Sequence, residues 1–83
     1  MKLTVRYFAS VREAIGRSAE QIDSSSATVA ALRAELVARG GAYAESLAPG
    51  KTVRVAIDQV MSEESAALAD GCEVAFFPPV TGG

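Results

Sequence analysis

The first segment of the chain alternates between apolar and polar residues. In Lys2–Phe8 the apolar positions are Leu3, Val5 and Tyr7, and the residues between them are polar. A period of two is typical of a β-strand that buries one face and exposes the other. Phe8 is the exception, because it puts an aromatic ring on the otherwise polar face.

Four later segments show shorter or weaker strand patterns. They are Ala19–Ile22, Val53–Ile57, Val60–Met61 and Cys72–Phe77. The pair Asp70-Gly71 predicts a turn just before the last of them. In that last strand Val74 and Phe76 share one face, and Ala75 and Phe77 share the other.

One segment between the strands has a helical period. From Val29 to Arg39 the apolar residues recur at intervals of three and four, which predicts an amphipathic helix. Thr28 is the expected N-cap. Arg39 is expected in the last turn, where it would interact with the helix dipole, and Gly40-Gly41 is expected to end the helix.

A shorter helical turn is predicted earlier in the chain. It covers Val11–Ile15, with Ser10 as its cap and Gly16 as its stop. The segment Ala42–Leu47 stays ambiguous between a helical turn and a loop.

The order of the predicted elements indicates an α+β protein. The main helix must bury its apolar stripe, and one face of the sheet is the only large apolar surface for it. The terminal strands are the most apolar, so we expect them side by side at the sheet centre. These features predict a β-grasp (ubiquitin-like) fold, with a mixed sheet of about four to five strands and one main helix on one face. Residues 1–77 would form the domain, and residues 78–83 a flexible, extended tail.

Composition narrows the class of protein. With 83 residues, 49% hydrophobic and 22% charged, the chain suits one small globular domain. The net charge is −2, and the eight basic residues are spread from Lys2 to Arg54, which argues against nucleic acid or an anionic membrane as partner. The sequence shows no signal peptide and no apolar run of ~20 residues. A single cysteine argues against a disulfide-stapled secreted protein. We therefore expect a cytoplasmic protein.

Side chains that commonly carry out catalysis are scarce. The chain has no histidine and one cysteine, Cys72, so Ser-His and Cys-His pairs are absent and we predict no metal site. The carboxylates of Glu63, Glu64, Asp70 and Glu73 are interpreted as solvated loop and turn residues. Cys72 is interpreted as a small buried hydrophobe.

The last six residues, PPVTGG, form an unusual segment. Pro78-Pro79 ends the last strand and favours an extended conformation, and six residues reach at most ~20 Å. Gly82 and Gly83 lack Cβ, so the tip could pass through a channel too narrow for side chains. The only reactive group is the α-carboxylate of Gly83, which has a reference pKa of ~3.5 and needs activation, most simply by ATP. From these residues alone, an ordinary flexible C-terminus stays open.

Three segments resemble one known family. LADGCEVAFFPPVTGG (Leu68–Gly83) looks like the C-terminal signature of MoaD-type sulfur carriers, the small subunits of molybdopterin synthase. VRYFASVREAIGRS (Val5–Ser18) is similar to the first strand and turn of that family, and VRVAIDQ (Val53–Gln59) to its middle strand. The resemblance covers essentially the full chain, and the tail is its most specific part.

The resemblance implies a β-grasp carrier that is not itself a complete enzyme. An ATP-dependent, ubiquitin-activating-like partner would adenylate Gly83, and a persulfide donor would convert it to a thiocarboxylate. The large synthase subunit would then receive the tail, and the sulfur would go to cyclic pyranopterin monophosphate to form the dithiolene of molybdopterin. The chain itself would bind no cofactor, and ATP would be used by the activating partner. The remaining tail residues would hold the tip out: Pro78, Pro79, Val80, Thr81 and Gly82.

Phe8 and Phe77 are predicted to anchor the large subunit, because exposed aromatic residues mark interface cores. The alternative is that they tuck under Ala42–Leu47. Two other functions also stay open. One is a carrier for thiamin or cysteine synthesis, or a ubiquitin-like modifier joined to lysines through Gly83. The other is a β-grasp interaction module whose tail is incidental.

Overall fold

Five strands form one mixed sheet in the computed structural model, which describes residues 1–79. In chain order they are β1 (Lys2–Tyr7), β2 (Ala19–Asp23), β3 (Arg54–Ile57), β4 (Val60–Ser62) and β5 (Glu73–Phe77). Their order across the sheet is β2-β1-β5-β3-β4. β1 and β5 run parallel, and all other neighbours are antiparallel. The predicted β-grasp fold is confirmed, with both terminal strands at the sheet centre.

Three helices accompany the sheet, where the sequence pattern predicted one main helix and a short turn. They are α1 (Ala9–Ile15), α2 (Val29–Val37) and α3 (Gly41–Leu47). Thr28 caps α2 as predicted, because its hydroxyl accepts the N–H of Ala31 at 3.2 Å. The segment Ala42–Leu47, which the sequence left ambiguous, is helical because it belongs to α3.

The helices cover one face of the sheet, which we call the inner face. The core joins the buried residues of the central strands to those of the helices. It includes Leu3, Val5, Tyr7, Val74 and Phe76 from β1 and β5, and Val11, Val29, Leu32, Leu36 and Leu47 from the helices. Burying side chains of this size contributes about 1.5–3 kcal/mol each. The alternation of β1 and β5 thus decides which face the helices cover.

The start of α1 differs from the prediction. The helix begins at Ala9, its N-cap is Phe8 without a side-chain hydrogen bond, and Ser10 lies inside the helix. Ala9 has a φ of 51°, a left-handed conformation that lets the backbone turn from strand to helix within one residue. The N-cap position thus falls on Phe8, whose side chain has no acceptor, and not on Ser10. Gly16 ends α1 in a left-handed conformation, as predicted.

The end of α2 also differs from the prediction. The helix ends at Val37, so Arg39 lies beyond its last turn and does not act on the helix dipole. The guanidinium of Arg39 instead donates to Glu20 at 2.9 Å. Gly40 adopts a φ of 77° and serves as the N-cap of α3. The glycine pair therefore separates two helices, and does not simply end one.

The carboxylate of Glu20 links β2 to β1 and to the helical layer. Its Oε2 accepts the hydroxyls of Tyr7 at 2.8 Å and Tyr43 at 2.7 Å, and its Oε1 accepts Arg39. Burial opposes ionisation of this carboxyl, but the hydrogen bonds from Arg39, Tyr43 and Tyr7 outweigh it and lower the pKa of Glu20. Burial and the bond to Glu20 together raise the pKa of the Tyr7 hydroxyl.

The buried guanidinium of Arg33 holds the loop between α3 and β3. Its Nε donates to the carbonyl of Leu47 at 2.7 Å, and its Nη2 donates to the carbonyls of Ala48 and Lys51 at 2.9 Å each. The carboxylate of Glu64 lies 3.4 Å from Nη1 and balances the charge. This cluster fixes the path of the chain into β3.

Replacing Glu20 by Gln should lower the free energy of unfolding by about 2 kcal/mol at neutral pH, because charged hydrogen bonds become neutral ones. The folded-state pKa lies below the ordinary value of 4.5. The extra free energy of unfolding of wild type over Glu20→Gln is therefore complete above that value, and it is lost as the pH falls through the folded-state pKa. Urea unfolding across the acid range measures this. Glu13→Gln, at an exposed position, is the control. If the difference in free energy of unfolding between wild type and Glu20→Gln did not change with pH, this explanation would be wrong.

Replacing Arg33 by Met should cost about 3 kcal/mol, since three carbonyls of the α3–β3 loop lose their donor. Urea unfolding of the variant measures the loss. Arg17→Met removes a more exposed arginine whose contact to Glu20 is 3.4 Å, and it should cost less than about 1 kcal/mol. Equal losses for the two variants would mean that Arg33 does not hold the loop.

Candidate functional site

The tail begins at the end of the central strand β5. Phe77 is the last residue of that strand, and Pro78 and Pro79 follow it in half-buried positions. Proline has no N–H, so it cannot extend the ladder to β1 and β3. The chain therefore leaves the sheet at the end of β5, between β1 and β3. The predicted tail residues Val80, Thr81, Gly82 and Gly83 lie outside the described residues.

The pairing of β1 with β5 brings Phe8 and Phe77 together. Tyr7 is the partner of Phe76 in the parallel register, and the N–H of Phe8 donates to the carbonyl of Phe76 at 3.1 Å. Tyr7 and Phe76 point into the core. Since side chains alternate along a strand, Phe8 and Phe77 lie side by side on the other face.

The two aromatic side chains belong to the uncovered face of the sheet. Phe8 is 38% exposed, Phe77 is half-buried, and neither belongs to the core cluster. They do not lie under α3, which packs on the inner face. The guanidinium of Arg6 stands over the ring of Phe8, 5.3 Å from its centroid, a geometry that suits a cation–π contact.

The same face continues as an apolar surface toward β4. The register places Ala75 opposite Ala56, and Ala56 opposite Met61. The two alanines form a flat floor between the larger side chains of Phe77 and Met61. Met61 is 58% exposed. We call this surface the open face, and it consists of Phe8, Ala56, Met61, Ala75 and Phe77.

Met61 was not among the interface residues predicted from the sequence. It lies on the edge strand β4, two strands away from Phe77 in the sheet order. Only the pairing of β3 with both β4 and β5 brings it onto the open face. The available signal was the apolar pair Val60-Met61 after the tight turn at Asp58-Gln59, where both turn residues have positive φ, and Met61 is the second residue after that turn.

Three of the four carboxylates interpreted from the sequence as solvated loop and turn residues have separate partners in the structure. Glu64 pairs with Arg33, Glu73 pairs with Arg6, and Asp70 accepts the backbone N–H of Lys2 at 2.7 Å. Cys72 is buried in the core cluster, which agrees with its interpretation as a small hydrophobe. These side chains do not converge on one site.

Metal-holding clusters and membrane-spanning helices are both absent from residues 1–79. They contain no group of three His, Cys, Asp or Glu side chains arranged to hold a metal ion. Within the same residues, no helix has the length and apolar character needed to cross a membrane.

Sequence comparison places the chain among known proteins. The ThiS family matches residues 5–83. The molybdopterin synthase sulfur carrier subunit of Haemophilus influenzae is 44% identical over 81 residues, and the match covers 98% of this chain and 99% of the relative.

Two solved structures resemble this chain over its full length. SAMP1, a small archaeal modifier protein from Haloferax volcanii, matches with a TM-score of 0.78 and 28% identity, and the match covers 100% of both chains. A chain in the complex of subunits 1 and 2 of the molybdopterin-converting factor from Helicobacter pylori matches with a TM-score of 0.69 and 24% identity over 100% of both chains. At that identity the second likeness shows the fold.

Proposed function

Because the chain belongs to the ThiS family, we propose that it acts as the sulfur carrier subunit of a molybdopterin synthase. The relative from Haemophilus influenzae carries that name at 44% identity. The structural observation that supports the proposal is the open face. It is an uncovered apolar surface that reaches from Met61 to the aromatic pair at the root of the tail.

The proposed chemistry takes place at the carboxylate of Gly83. A carboxylate oxygen attacks the α-phosphate of ATP in the adenylating partner, and pyrophosphate leaves. The terminal sulfur of a persulfide donor then attacks the glycyl carbonyl and displaces AMP. A second thiol reduces the S–S bond of this product and leaves the thiocarboxylate of Gly83. The carrier itself needs no catalytic side chain for these steps, and it binds no cofactor.

The large synthase subunit is the proposed acceptor of the loaded tail. Its active site would hold cyclic pyranopterin monophosphate, and two sulfur transfers would form the dithiolene. Aromatic and methionine side chains are enriched at interface cores, so Phe8, Phe77 and Met61 would supply the anchors. The segment 78–83 would then reach into the large subunit while the domain 1–77 stays outside.

The cytoplasm is the proposed place of this function. Activation consumes ATP, and the sulfur transfer passes through persulfides and thiols that need a reducing compartment. The unpaired thiol of Cys72 agrees with such a compartment.

A ubiquitin-like modifier is the second candidate function. The likeness to the archaeal modifier protein, at 28% identity over the full chain, favours it. Both functions begin with adenylation of Gly83 and differ in the second step. A modifier forms an amide with a lysine, whereas a carrier gains sulfur.

Incubation with ATP, an adenylating partner, a persulfide donor and a thiol reductant should raise the intact mass by the replacement of one oxygen by sulfur. A Gly82→Val variant, or one extra residue after Gly83, should block the gain, because a Cβ or a displaced carboxylate does not fit a channel shaped for glycine. Gly50→Val is the matched control, since a Cβ there has no neighbour within 4 Å. An unchanged mass of wild type with an active partner would contradict the carrier function, and a lysine conjugate would favour the modifier.

Replacing both Phe8 and Phe77 by Ser should abolish the complex with the large subunit, with a loss of more than about 100-fold in affinity. Calorimetry measures the affinity, and circular dichroism checks the fold. Val60→Ser is the control, because Val60 is 66% exposed but pairs with Ile57 and so alternates away from the open face. Unchanged affinity of the folded double variant would show that the open face is not the interface.

A further inference from the structure

Three arginines border the aromatic pair, and we call them the basic rim: Arg6, Arg12 and Arg54. Arg6 stands over the ring of Phe8. Arg54 is the register partner of Phe77, so its side chain shares the open face. Arg12 is an exposed residue of α1, and its backbone N–H donates to the carbonyl of Phe8 at 3.3 Å, so its backbone lies next to the aromatic pair.

The basic rim carries charge that the described part of the chain does not neutralise. Arg12 and Arg54 are exposed, and neither forms a salt bridge with another residue of 1–79. Arg6 is balanced in part by Glu73, at 3.5 Å. Glu13, the neighbour of Arg12 on α1, is the nearest acidic residue in sequence. Glu45 and Lys51 line the cavity beside Pro78 at the same end. With them, the four basic residues Arg6, Arg12, Lys51 and Arg54 stand against the three acidic residues Glu13, Glu45 and Glu73, so this end keeps one net positive charge.

The other end of the sheet carries the acidic residues Asp23, Asp58 and Asp70, together with Lys2 and the N-terminal ammonium, which lies 3.5 Å from Asp23. Asp23 is the register partner of Lys2, and Asp70 accepts the N–H of Lys2, where β1 begins. Asp58 accepts the N–H of Glu73 at 3.0 Å, where β5 begins. Because β1 and β5 are parallel, both strands run from an acidic end to the basic rim. A chain with a net charge of −2 therefore places positive charge around the root of its tail.

We propose that the basic rim pairs with carboxylates around the entrance that receives the tail in the large synthase subunit. This inference rests on the proposed function. The tail carries a negative group at its tip and positive charge at its root, so the complementary partner is cationic in the depth of its channel and acidic at its mouth. Such an arrangement steers the encounter and fixes how far the tail enters. Rim charges of this kind act mainly on the association rate and its salt dependence.

The test compares charge reversals at the basic rim with one at the opposite end of β1. Arg12→Glu and Arg54→Glu change the rim, and Lys2→Glu makes the same change of charge at the acidic end of β1, on an exposed side chain of the uncovered face. Stopped-flow association with the large subunit should be about tenfold slower for each rim variant at low salt. The difference should shrink to about twofold near 1 M salt, where the Debye length is about 3 Å. Lys2→Glu should stay within about twofold of wild type throughout.

Three results would overturn the inference. Rim variants that associate as fast as Lys2→Glu would mean that no acidic mouth faces the rim. Faster association of the rim variants would mean that the mouth is basic. An unchanged association rate, together with a higher KM for ATP during activation, would assign the arginines to nucleotide phosphates. If the proposed function itself is wrong, wild type will not bind the large subunit at any salt concentration. That result is distinct from all three results above.

Discussion

β1 and β5 lie next to each other and run in the same direction, with Tyr7 opposite Phe76. This pairing joins residues near the two ends of the chain. It makes β5 a central strand, flanked by β1 and β3, and so fixes where the tail leaves the sheet. It also sets Phe8 beside Phe77, because the register of the core residues dictates the register of their outward neighbours. The candidate site thus follows from the same pairing that builds the core.

The two faces of the sheet have different tasks. The inner face is covered by three helices, and two polar clusters centred on Glu20 and Arg33 tie those helices and loops to it. On the open face Phe8 and Met61 stay exposed, while Ala56 and Ala75 lie buried between the larger side chains. A partner that covers this face lies at the root of the tail. Docking and delivery of the tip are therefore geometrically coupled.

Much of the fold could be predicted from local patterns. Period-two alternation was sufficient to predict the terminal strands, and Thr28 was sufficient to predict the start of α2. Both signals depend only on neighbours along the chain. The predicted cap at Ser10 was wrong because the backbone turns at Ala9 without a polar cap. Arg39 was misassigned because its partner, Glu20, lies on a distant strand.

The candidate site could be predicted only in part. The aromatic pair was visible as two rings on otherwise polar faces, whereas Met61 depended on the order of strands across the sheet. The basic rim was hidden for the same reason, since Arg12 and Arg54 are far apart in sequence, and only the strand pairing puts Arg54 opposite Phe77 while Arg12 bonds to the backbone of Phe8. The chemistry of the tip came from family resemblance, because two glycines and a carboxylate do not by themselves specify a reaction.

We expect one partner to cover the open face and to receive the tail. Mapping backbone amide chemical shifts of the labelled carrier, free and with the large subunit, tests it most directly. We expect changes at the outward positions of β1, β3, β4 and β5 and at the tail, with α2 and α3 unaffected. Changes concentrated on α2 and α3, with the open face unaffected, would contradict the account.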